Sequence, residues 1–205
     1  MKTFIYVCLG IFVVFFIFEM IRKVIANKLT NKLVKCIYYN DEKKFEEIIE
    51  SRFCKFWVFP YNRYFLRLSM AMVKDDKAEV KKSIEILEKQ KMKRKQKEAF
   101  YQRCFSYYVT INDLKEATNY YELLKLKDND SVEEIDIIYN TLVLKEDKYL
   151  DLCLERNESL SGNNRISNES YISQMYANRG DNKNASKYRD IVTLHLKELN
   201  STNHN

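Results

Sequence analysis

The sequence predicts an all-α protein, with an N-terminal transmembrane helix followed by an α-solenoid of about five antiparallel helix hairpins. Three observations carry this expectation. The 205 residues include only three Gly and one Pro, too few for the many tight turns of sandwiches, barrels or glycine-loop enzymes. An uncharged apolar run opens the chain. A short turn-and-acid pattern then recurs along the rest of it at nearly constant spacing.

The apolar run extends from Thr3 to Phe18. As a helix it rises about 24 Å, against a hydrocarbon core of about 30 Å. Lys2 and Arg22 bracket it and can reach the headgroups to make up the difference. A cleaved signal peptide would need a neutral stretch before its cut. Here Glu19, Arg22 and Lys23 precede the small-residue site at Val24–Ala26. Residues 1–22 are therefore expected to be an uncleaved single-pass anchor. Arg22, Lys23, Lys28, Lys32 and Lys35 follow the run, while Lys2 alone precedes it. By the positive-inside rule the C-terminal domain would lie in the cytoplasm, at a plasma membrane expected to be bacterial.

Residues 24–199 carry the repeat. A turn residue and an acid are followed by a small or apolar residue five positions after the turn, as in Asn40-Asp41…Phe45, Asp75-Asp76…Val80 and Asn112-Asp113…Ala117. Lys145-Glu146…Leu150 and Gly180-Asp181…Ala185 complete the set, with the turns 35, 37, 33 and 35 residues apart. The physics is that of a helical hairpin. The turn residue lets the backbone leave one helix, and the acid begins the next near its positive dipole end. The small residue allows close approach, so Ala117 and Ala185 are expected to be buried where helices cross. The predicted pairs are 24–39 with 41–52, 60–74 with 76–91, 94–110 with 113–126, 131–144 with 146–156, and 166–178 with 182–198. Residues 159–170 read as a polar linker, and residues 200–205 as a disordered tail.

The segments NDLKEATNYYELLK (112–125) and YANRGDNKNASKYRDI (176–191) resemble the turn and second helix of tetratricopeptide repeats. Ile172, Ser173 and Tyr176 match part of that family's first-helix pattern, as do Tyr101 and Tyr108. Cys104 and Phe105 depart from it, and the Pro that closes each family unit is missing. The resemblance implies a degenerate array that binds a protein or peptide, without catalysis or cofactor. Carrying the family's inner-face positions across gives Arg63, Gln102, Ser106, Ser170, Gln174 and Asn178 as the expected groove.

Other features weigh less. The net charge of +6 comes from well-mixed ions and does not indicate a nucleic-acid partner. Lys89, Lys91, Lys93, Arg94, Lys95 and Lys97 form a basic stretch, read first as a solvated loop. Its alternative reading is a contact for an anionic membrane surface. Phe53, Phe56, Trp57, Phe59, Tyr61, Tyr64 and Phe65 are expected to be core between hairpins, with an interfacial belt at the bilayer as the alternative reading. Cys8, Cys36, Cys54, Cys104 and Cys153 show no ligand spacing and read as buried thiols. His195 and His204 have no recognisable partner. No phosphate loop, zinc motif or nucleophile elbow occurs, so no metal and no catalytic residue is expected. The expected function is a membrane-anchored interaction module, a scaffold or adaptor.

Overall fold

In the computed structural model, which describes residues 2–126 and 132–202 and the side chains of 9–126, 133–199 and 201, all five turn positions take the left-handed backbone. Asn40, Asp75, Asn112 and Lys145 have φ of 51°, 53°, 57° and 58°, and Gly180 has φ of 83°. Asn and Gly tolerate this region best, and each turn lies between two helices. Every regular element among the described residues is helical. The side chain of Cys8, His204, residues 203–205 and residue 131 lie outside the described residues.

The chain divides into two compact units, residues 1–96 and 97–205. The first holds α1 (Lys2–Tyr38), α2 (Glu42–Glu50), α3 (Arg52–Trp57), α4 (Pro60–Val73) and α5 (Lys77–Glu88). Pro60 occupies the first turn of α4, where its missing N–H costs no helical bond. The predicted helix 41–52 breaks at Ser51, which starts α3. Its Oγ donates to Ile48 O at 2.7 Å and accepts from Cys54 N at 3.1 Å. Leu33, Cys36, Phe45, Ile49, Cys54, Val58, Leu66 and Met70 form the core of this unit.

The second unit holds most of α6 (Arg94–Thr110), then α7 (Leu114–Lys125) and α8 (Val132–Ile138). A π-helical turn (Tyr139–Val143), α9 (Leu150–Arg156), α10 (Gly162–Asn178) and α11 (Asn182–Thr202) follow. The expected linker 159–170 is thus largely the beginning of α10, and α11 reaches into the expected tail. Rings join α6 to α7, with Tyr108 stacked on Tyr120 at 5.7 Å. Tyr121 lies flat on Tyr139 at 3.7 Å and donates its hydroxyl to Asp136 at 2.8 Å. Ile137, Leu150, Cys153, Ile172 and Met175 make a second core.

The residues five positions after the turns are all buried: Phe45, Val80, Ala117, Leu150 and Ala185. Burial of Ala117 and Ala185 agrees with the expectation that the paired helices approach closely there.

The transmembrane anchor over residues 1–22 does not hold. Among the described residues no helix is long and apolar enough to cross a membrane. The reason lies within α1 itself. Its apolar run stops at Glu19, which binds Arg22 at 2.7 Å, and the same helix continues through Lys23, Lys28, Lys32 and Lys35. Any window lengthened beyond about 24 Å takes in these charges. The single-pass topology, the plasma-membrane placement and the cytoplasmic orientation derived from the anchor fall with it.

The aromatic cluster is also corrected. Phe53, Phe56 and Phe59 are 55%, 68% and 52% exposed, and Trp57, Tyr61, Tyr64 and Phe65 are only half-buried. Short α3 turns Cys54 to the core, as does Val58 just after it, which leaves Phe53 and Phe56 on the opposite face.

Candidate functional site

The first hairpin presents a groove between α1 and α2, with a volume of about 620 Å³. Leu29, Lys32, Cys36 and Tyr39 line it from α1 and the residue just after it, and Asp41, Lys44, Ile48 and Ser51 line it from α2 and its two ends. Both sets follow steps of three and four, so each is one face of its helix. Leu29, Cys36 and Ile48 supply an apolar floor, and Lys32, Lys35 and Lys44 stand on the rim.

The electrostatics of α2 differ between its two faces. On the face toward α4, Glu42, Glu46 and Glu50 recur every four residues, and cations meet all three. Arg67 donates to Glu46 at 3.1 Å and also to Glu50, Lys74 binds Glu42, and Lys55 binds Glu50 at 2.5 Å. The hydrogen bond from Lys55, aided by Arg67, holds the Glu50 carboxyl below the usual carboxylate range. On the groove face the three rim lysines make no ion pair among the described residues. Asp41 there is occupied as a helix cap, its Oδ1 accepting from Lys44 N at 3.2 Å.

A second cavity of about 400 Å³ lies between α1 and the start of α4, lined by Phe16, Met20, Arg22, Trp57, Phe59 and Asn62 among others. Arg22 in it binds Glu19 at 2.7 Å and also lies over the Phe59 ring at 4.2 Å, while Lys23 makes no ion pair among the described residues.

The predicted inner-face residues fall in both units. Arg63 is half-buried in the first unit, with its Nε lacking a hydrogen-bond partner among the described residues. In the second unit Gln102 is half-buried and Ser106 exposed. Ser170 Oγ donates to Ile166 O at 2.8 Å, and Gln174 donates to Asn178 at 2.9 Å. Asn178 Nδ2 in turn donates to Thr141 O at 2.9 Å and to Glu146 O at 3.1 Å. Asn178 thereby braces the segment around the Lys145 turn. Lys89, Lys91, Lys93, Arg94, Lys95 and Lys97 all face solvent, around and inside the first turn of α6.

One buried polar cluster escaped the sequence reading. Glu169, 1% exposed, accepts from His195 Nδ1 at 2.7 Å, from Arg165 Nε at 2.9 Å and from Asn157 Nδ2 at 3.3 Å. Burial alone would raise its carboxyl, but these three bonds together hold it below the ordinary range. His195 therefore has a partner, contrary to expectation. Next to it, buried Asn168 donates to Cys153 O at 2.8 Å and accepts from Arg156 at 2.7 Å. No periodic signal in the sequence marks this cluster, since its members come from α9, α10 and α11.

Cys36, Cys54, Cys104 and Cys153 are free and buried. Burial pushes the thiols of Cys54 and Cys153 up, which lowers their thiolate fraction. Among the described residues no group of three or more His, Cys, Asp or Glu is placed to hold a metal ion.

Among the described residues the fold is all-helical, with about eleven helices, and is compatible with a helical-repeat domain. No known family, curated protein or solved structure matches the chain.

Proposed function

We propose that the chain is a protein-docking module built from degenerate tetratricopeptide-like hairpins, to which no catalysis is assigned. The α1–α2 groove carries this reading: an apolar floor with three lysines on its rim that have no ion-pair partner among the described residues. On the opposite face of α2 the acids Glu42, Glu46 and Glu50 are all met by cations, whereas the lysines of this rim are left for something outside the unit. The repeat spacing supports the tetratricopeptide likeness, as do the left-handed turns and the buried Ala117 and Ala185.

The test is site-specific photocrosslinking in cells that produce the chain. Photoreactive residues at Tyr39 and Lys44 should each give an adduct of one defined mass, while one at exposed Lys81 on α5 should give none. Equal labelling at all three positions, or no adduct at the groove, would sink the proposal.

A further inference from the structure

We infer that the occupant of the α1–α2 groove is an acidic amphipathic helix of a partner protein, an assignment that rests on the docking reading above. The shape comes first. The lining positions on the α1 side run from Leu29 to Tyr39 and those on the α2 side from Asp41 to Ser51, so each wall is about 15 Å long. Two antiparallel helices with such walls offer a groove of the kind that a third helix fills with its apolar face, as helix-in-groove partners do. The floor of Leu29, Cys36 and Ile48 would receive residues of that face at steps of three and four.

Charge gives the partner its sign. Lys32 and Lys35 lie on one wall and Lys44 on the other, so acidic side chains flanking the partner's apolar stripe would meet cations from both sides. The acids of α2 do not cancel these lysines. Glu42, Glu46 and Glu50 are turned toward α3 and α4 and bound there by Lys74, Arg67 and Lys55. Asp41 is held by the backbone of its own helix. Glu47 alone remains on the rim as a carboxylate without an ion pair among the described residues, and it favours a single cation at one place on the ligand.

The experiment measures binding of stapled helical peptides, about four turns long, to the full-length chain by fluorescence anisotropy. All share a Leu stripe, flanked in turn by Glu, Gln or Lys. The Glu peptide should bind about tenfold more tightly than the Gln peptide, and added salt should erode that margin. Lys32→Gln with Lys44→Gln should abolish the margin, and Lys32→Glu with Lys44→Glu should transfer the preference to the Lys peptide. Circular dichroism confirms that both variants remain folded, and the milder pair keeps the test decisive if the reversal disturbs the fold. Equal affinity for the Glu and Gln peptides, with adducts still formed at residue 39, would overturn the acidic assignment and leave the docking reading standing. A Glu preference unchanged in both variants would place the site elsewhere and overturn the assignment. No binding by any peptide, together with blank crosslinking at residues 39 and 44, would overturn both.

Discussion

The turns at Asn40, Asp75, Asn112 and Gly180 and the turn at Lys145 hold equivalent places in their hairpins, yet different forces maintain them. In the first four, the N–H three positions past the helix end reaches back five residues, as from Asp41 to Cys36 O at 2.8 Å and from Asp113 to Tyr108 O at 2.9 Å. The N–H of the turn residue itself reaches back three, and the following Asp caps the next helix through its side chain. Such a turn is closed by its own residues. At Lys145 the preceding segment is π-helical, Glu146 N reaches back six residues to Asn140 O, and no carboxylate caps α9. There the backbone is held from a distance, by Asn178 on Thr141 O and Glu146 O and by Arg179 on Asp147. The same left-handed residue can thus be sustained by local bonds or by a neighbouring helix. Only the first kind survives if the neighbour is removed.

The largest test of this contrast is Glu169, which binds side chains from beyond α9 and from α11 onto α10. Glu169→Ala should cost about 3 kcal/mol, because His195, Arg165 and Asn157 lose a buried partner. Thermal unfolding measures it. The pH dependence has a fixed sign. A carboxyl held below its ordinary value of ~4.3 contributes its full stability above that value and loses it as pH falls through the lower one. The acid-side fall in melting temperature should therefore be shallower in Glu169→Gln. A profile identical to the parent's would show that the cluster adds nothing.

A smaller effect separates the two kinds of turn directly. Asn178→Ala should cost about 2 kcal/mol by stranding two backbone acceptors, and should speed amide exchange over residues 139–146. Asp113→Ala, which removes only a local cap, should cost about 1 kcal/mol and leave residues 139–146 protected. Equal exchange in the two variants would erase the distinction.

The smallest effect has the opposite sign. Lys145 holds a left-handed φ of 58° with a side chain poorly suited to it. Lys145→Gly should stabilise the protein by up to about 1 kcal/mol, whereas Asn112→Gly should be nearly neutral because Asn already tolerates that region. Denaturant titration of both variants checks the order. A stabilised Asn112→Gly beside an unchanged Lys145→Gly would mean that the fourth turn carries no strain.

Local sequence determined the helical class, the five turns and the residues buried just beyond them. Each depends on neighbours a few positions away: a left-handed residue, a capping Asp and an apolar step of three or four. The break at Ser51 was missed because a cap inside an apparently continuous helix is a weak signal against strong helix formers on either side. Tertiary structure alone decided which exposed groups remained without partners. The chain is rich in Lys and Glu throughout, and only packing α2 against α4 paired the stripe of Glu42, Glu46 and Glu50 and left Lys32, Lys35 and Lys44 bordering an apolar groove. It likewise spent Asn178 on a turn more than thirty residues away and buried Glu169 beneath His195. These contacts join residues far apart in sequence, and no local periodicity encodes the angle at which one helix meets another.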